Sequence, residues 1–157
     1  MADALQELQK ALKKADFEAR YDKGKDVPHV YITLDDTTLE LARVSDAQAV
    51  AGEDAVGEVD YLQCYASLPF AVTQVTAAAE FMAYLNGIIP LVGFGLMRYP
   101  VQAVFRHLLV FESKNFSHAT VIEAVDTIQF LLATFGSTLA AVASGQQTVA
   151  EALADMP

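Results

Sequence analysis

The sequence predicts an α+β fold, with a mainly antiparallel sheet carrying helices on one face. Three observations lead there. Short runs that alternate apolar and polar residues follow one another between Phe17 and Leu41, as a meander of half-buried strands requires. Isolated helical stripes stand before and after these runs, the order expected when helices pack on an antiparallel sheet. The third is the stretch Leu91 to Phe111, two strand-like runs joined at Tyr99-Pro100 and apolar on both faces. A hairpin greasy on both sides needs cover on both sides, and the simplest cover is a second copy of the chain.

The elements follow in order. Leu5, Leu8 and Leu12 sit at helical spacing behind Asp3, with Lys10, Lys13 and Lys14 outside them, which predicts an amphipathic helix ending near Asp16. Phe17, Ala19 and Tyr21 then alternate with Glu18, Arg20 and Asp22, and Lys23-Gly24-Lys25-Asp26 is a turn. Val30, Ile32 and Leu34 alternate with Tyr31 and Thr33; Asp35-Asp36 turns again before Leu39 and Leu41. Ser45 to Glu58 is poor in large apolar residues and reads as a flexible loop, and Val59 to Ala66 returns to strand.

After Leu68-Pro69, Val72, Val75, Ala79, Met82 and Leu85 form a helical stripe, with Asn86-Gly87 as its C-terminal cap. The two-faced hairpin comes next. Ser117 caps a long helix whose apolar residues Val121, Val125, Ile128, Leu132, Phe135, Leu139 and Val142 alternate four and three apart, a continuous seam. Thr148 and Glu151 have capping-box spacing for a last short helix.

Length and charge bound the function. The 157 residues read as one domain, 1–157, able to bury roughly 70% of the unfolded surface. A net charge of −10 argues against a nucleic-acid partner, because phosphate binding needs a basic stripe. The single cysteine, Cys64, rules out an internal disulfide framework and fits a reducing compartment. The N-terminus lacks the basic and apolar regions of a secretory signal. Val72–Met97 and Val121–Val142 are hydrophobic enough to test as membrane spans. The first carries Glu80, Asn86 and Pro90 and the second Glu123, Asp126 and Gln129, so both read as core elements. The expectation is a cytoplasmic protein with no membrane partner.

No residue pattern spells out a chemistry. His29, His107 and His118 do not stand at metal-ligand spacings, and Cys64 has no second cysteine to pair with. Gly93-Phe94-Gly95 lacks the strand–loop–helix context of a phosphate loop, and a glycine inside a strand more often permits a bulge or a close approach. Asp35 and Asp36 read as turn residues. Asn115-Phe116-Ser117 matches a glycosylation acceptor by chance. No catalytic, metal or cofactor site is expected.

What remains is surface. The candidate self-interface comprises Val92, Phe94, Leu96, Val104, Leu108 and Val110, with part of the Val72–Leu85 helix. Tyr21, Tyr31, Tyr61 and Tyr65 are candidate contacts for a partner, since tyrosine combines a rigid apolar ring with a polar tip.

Several residues also carry a resemblance. Leu68-Pro69-Phe70, a helix ending Phe81-Met82-Ala83-Tyr84-Leu85-Asn86, a strand at Gly93-Phe94, then Phe105-Arg106-His107-Leu108-Leu109 and a long helix opened near Ser117 resemble the YbjN family. The similarity spans Tyr61 to Val142, and the N-terminal strands match in order alone. YbjN-type proteins are bacterial and regarded as sensory transduction regulators. The resemblance implies the fold of type III secretion chaperones, small acidic dimers that hold an extended segment of another protein. It implies no catalytic residue and gives Asn86 a structural role. The strongly apolar last long helix and the added helix at Thr148 depart from those chaperones.

The function expected is a non-enzymatic, chaperone- or adaptor-like protein-binding module, a homodimer that takes an extended segment of a protein partner by strand addition. The alternative is a small-molecule-sensing regulatory domain with a pocket between the sheet and the long helix, around Phe130 and Phe135.

Overall fold

A computed structural model describes residues 3–24, 27–44, 59–91, 93–112 and 116–156. The segment Ser45–Glu58, read above as a loop, lies outside the described residues, as do Val92 and Asn115. In chain order the elements are α1 (Ala4–Lys14), β1 (Glu18–Asp22), β2 (His29–Leu34), β3 (Thr37–Val44) and β4 (Val59–Ser67). They continue with α2 (Val75–Ile88), β5 (Phe94–Arg98), β6 (Val101–Glu112), α3 (His118–Ser144) and α4 (Val149–Ala154). The six strands form one sheet in the order β1-β2-β3-β4-β6-β5, with antiparallel pairing along the meander and in the β5–β6 hairpin. The fold is α+β.

The chain divides into two compact units. The first comprises residues 1–66 and 107–124, the second 67–106 and 125–157.

In the first unit, alternation decides which side of each strand is buried. Ala19, Val30, Ile32, Leu34, Leu39, Leu41, Leu62 and Cys64 are all at or below 4% exposure. The register places Ala19 beside Ile32, Val30 beside Leu41, and Leu41 beside Cys64, so these residues share one face. Helix α1 lies on that face, with Leu5, Leu8 and Leu12 buried beneath it. Asp3 starts the helix by accepting a hydrogen bond from the Leu5 N–H at 3.1 Å. Asp16, just past the helix, and Asp35, in the β2–β3 turn, both have positive φ, a conformation short polar side chains tolerate.

In the second unit the α2 stripe differs from the one expected. The helix begins at Val75, and its buried residues are Ala78, Phe81, Met82 and Leu85; Val75 is 47% exposed and Ala79 is exposed. Ala77, Ala78 and Ala79 have little area with which to set the rotation, and the large Phe81 ring sets it instead. The expected Asn86-Gly87 cap is also corrected. The helix runs on to Ile88, Ile89 is the capping residue, and Gly87 does not adopt positive φ.

The seam of α3 is present at both ends. Val121, Val125, Ile128, Leu139 and Val142 are buried, joined by Ala124, Leu131 and Ala143. Leu132 and Phe135, in the middle, are half-buried. Ser117 accepts from the Thr120 N–H at the start of the helix, and Thr148 and Glu151 form the full capping box of α4. By length and composition α3 could cross a membrane.

Candidate functional site

The β5–β6 hairpin is where the sequence placed the self-interface. Phe94 pairs with Phe105, Leu96 with Ala103, and Gly95 with Val104. Directly paired residues point to one face, so Phe94 and Leu96 share the face of Ala103 and Phe105, while Val104 lies on the other. Phe94 is 4% exposed and stands edge-on to Phe105, with ring centroids 5.1 Å apart. Along β6, Leu108 and Val110 keep the face of Val104, since they follow it by two and four residues. The candidate set therefore divides. Phe94 and Leu96 lie on one face of the hairpin, and Val104, Leu108 and Val110 on the other. Val104 is buried, Leu108 half-buried and Val110 57% exposed.

The four tyrosines also divide. Tyr21 pairs with Val30 on the buried face, and its hydroxyl donates to Asp3 Oδ2 at 2.8 Å. That bond and the nearby charge of Asp3 raise the Tyr21 pKa above its ordinary value. Tyr31 lies on the opposite face, with the Arg20 guanidinium carbon 4.9 Å from its ring centroid and the His29 ring stacked at 5.8 Å. Tyr65 pairs with Glu40, and Glu40 with Tyr31, so both rings share this outer face; Tyr61, four residues before Tyr65, shares it too.

The outer face of the first unit thus gathers Tyr31, Tyr61 and Tyr65, three of the proposed partner contacts. His29 Nε2 and Glu40 Oε1 pair on the same face at 2.9 Å. In this unit α1 covers the opposite face.

The geometry offers little to chemistry. Among the described residues, no three His, Cys, Asp or Glu side chains gather as metal ligands would. Cys64 is fully buried, and desolvation pushes its thiol up to about 12, the reverse of an activated nucleophile. An open depression of about 360 Å³ lies beside β1 and β2, lined by Lys13, Glu18, Arg20, Tyr31, Thr33 and Thr38. Phe130, proposed to line a pocket under the long helix, is instead 65% exposed.

One residue was assigned a different role by the sequence. Asn86 sits on α2 and reaches β5: its Nδ2 donates to the Phe94 carbonyl at 2.8 Å, and the Phe94 N–H donates to its Oδ1 at 2.8 Å. Gly93 permits the approach, because a Cβ there would lie 3.3 Å from Asn86 Oδ1. The sequence signal was that Gly93-Phe94-Gly95 holds glycines inside a strand.

No protein-family profile matches the sequence, and no curated protein does. Among solved structures, the chain is similar to YbjN from E. coli, described as a candidate transcription regulator, with a TM-score of 0.50 at 11% identity. The match covers 87% of this chain and 93% of that one. At that identity the likeness concerns architecture: the chain has a YbjN-like α+β fold.

Proposed function

We propose that this chain is a non-catalytic, cytoplasmic protein-binding module that acts as a homodimer and receives an extended segment of a partner protein. The observation that carries the reading is the outer face of the first unit's sheet. Tyr31, Tyr61 and Tyr65 line it, all half-buried, beside the His29–Glu40 contact of 2.9 Å. Tyrosines supply rigid area with polar tips, and the flanking charges supply register, which suits a polypeptide better than a small ligand. The net charge of −10 favours a basic segment over an acidic one.

The test is affinity capture from an extract of the source cells with wild type, Tyr61→Asp and Tyr31→Asp. A polypeptide retained near stoichiometry by wild type and lost with both variants supports the reading. Equal retention by the variants would move the site elsewhere, and retention of nothing by wild type would remove the partner.

A further inference from the structure

The two edges of the sheet are built differently. At one edge, β1 presents Glu18, Arg20 and Asp22 on its outer side, charges of the kind that discourage a further strand. At the other, β5 reads Phe-Gly-Leu-Met-Arg, with Arg98 its only charge. An apolar edge left open is a template for pairing.

The hydrogen bonds show how much of that edge is open. Gly93 and Arg106 exchange both backbone bonds, at 3.0 Å each. In an antiparallel ladder bonded and non-bonded pairs alternate, so the backbone groups of Phe94, Leu96 and Arg98 point away from β6. Those of Phe94 are taken by the Asn86 amide, which stands where the next strand would be. No described hydrogen bond engages the outward groups of Leu96 and Arg98. Two residues of edge remain.

We infer that this edge pairs with the same edge of a second copy, antiparallel, about a twofold axis through Met97. This deepens the dimeric part of the reading above and rests on it. In that register Leu96 bonds Arg98 of the second copy and Arg98 bonds its Leu96, so every open group on both edges is used. The pairing stops there, because Phe94 has its partner in Asn86 and β5 ends at Arg98, before the turn at Tyr99-Pro100. Met97 faces Met97 of the second copy, and Tyr99, in the turn just beyond β5, stands at the end of the paired edge.

Both side chains are exposed. Tyr99 is 91% exposed and Met97 42%. A Cβ placed on Gly95 would meet only Val104 Cγ2, at 3.8 Å, so the face beside Met97 is open. Tyr99 contributes on the order of 200 Å², against the roughly 800 Å² per partner of a standard interface. A contact of this size gives a reversible dimer rather than an obligate one. Its formation strengthens with salt, which screens the repulsion between two chains of charge −10.

The experiment is sedimentation of the purified chain between about 1 and 200 μM, together with disulfide trapping of Met97→Cys and Val110→Cys. Residues opposite each other in a non-bonded pair have Cα atoms about 4.5 Å apart, within disulfide reach. The expected result is a concentration-dependent dimer of twice 17.0 kDa that Met97→Cys locks oxidatively and Val110→Cys does not. A monomer throughout the range overturns both the edge and the dimer. A dimer locked by Val110→Cys alone, or by neither, overturns the edge and leaves self-association through another surface. Leu96→Pro, which removes an outward N–H and leaves the bonded pairs to β6 intact, weakens the dimer if the edge forms it.

Discussion

The Asn86 side chain binds the backbone of Phe94 as a neighbouring strand would, donating one hydrogen bond and accepting another, both 2.8 Å long. A helix residue thereby ends the open edge of the sheet. Each such bond is worth about 0.5–1.5 kcal/mol net, so Asn86→Ala should lower unfolding free energy by about 1–3 kcal/mol in urea denaturation. It should also lengthen the open edge and increase self-association. An Asn86→Ala protein as stable as wild type would deny the amide this role. Gly93→Ala should cost less, because its Cβ need only displace the amide from contacts of 3.3 and 3.4 Å.

Much of the architecture was legible in the sequence because large side chains recur at informative spacing. Leu5, Leu8 and Leu12 mark one face of α1, and the alternation from Val30 to Leu41 marks one face of the meander. The α2 stripe was legible in kind and misplaced in rotation, since a run of alanines fits any face. The Asn86-Gly87 pair has the composition of a helix end, but the backbone continues, and no local pattern reveals a strand eight residues away that takes up the amide. The hairpin was apolar on both faces, and how the faces of its two strands match depended on register, which sequence does not state.

Cys64 tests the solidity of the first unit. Burial pushes its thiol up to about 12. An alkylating reagent at pH 8 should leave the native chain unmodified and label one site in denaturant, because the thiolate is the reactive form. A raised acid pKa contributes stability below the unfolded value, about 9 here, and loses it as pH rises toward the folded value. Stability should therefore fall above pH 9 in wild type and less so in Cys64→Ala, after allowance for the cavity. Rapid labelling of the native chain would show that this core opens.

The acid limb has other sources. Hydrogen bonds from the Thr148 backbone and hydroxyl hold the Glu151 carboxyl below its ordinary pKa, and Lys10 does the same for Glu7 at 2.8 Å. A lowered carboxylate pKa contributes stability above the unfolded value, near 4.5, and loses it as pH falls toward the folded value. Thermal melts should decline below pH 4.5, and Glu151→Gln should flatten part of that decline. Thr148→Ala should cost about 1 kcal/mol at neutral pH through loss of the cap. Unchanged melts in both variants would mean that α4 is not held by its capping box.

Tyr21 and Asp3 join a strand to the start of a helix, and the two can be separated by titration. Asp3 Oδ1 caps the Leu5 N–H while Oδ2 accepts the Tyr21 hydroxyl. That hydrogen bond favours the neutral phenol, so the Tyr21 pKa stands above the ordinary value of 10. Its contribution to stability is complete below pH 10 and is lost as pH rises through the folded value. The difference between the ultraviolet titrations of wild type and Tyr21→Phe isolates this phenol and should be centred above 10. Asp3→Ala should return the titration toward 10 and also cost about 1 kcal/mol at neutral pH, because the same side chain caps α1. Tyr21→Phe keeps the cap and should retain that helix. A difference curve centred at or below 10 would show that the hydroxyl does not rest on Asp3 in solution.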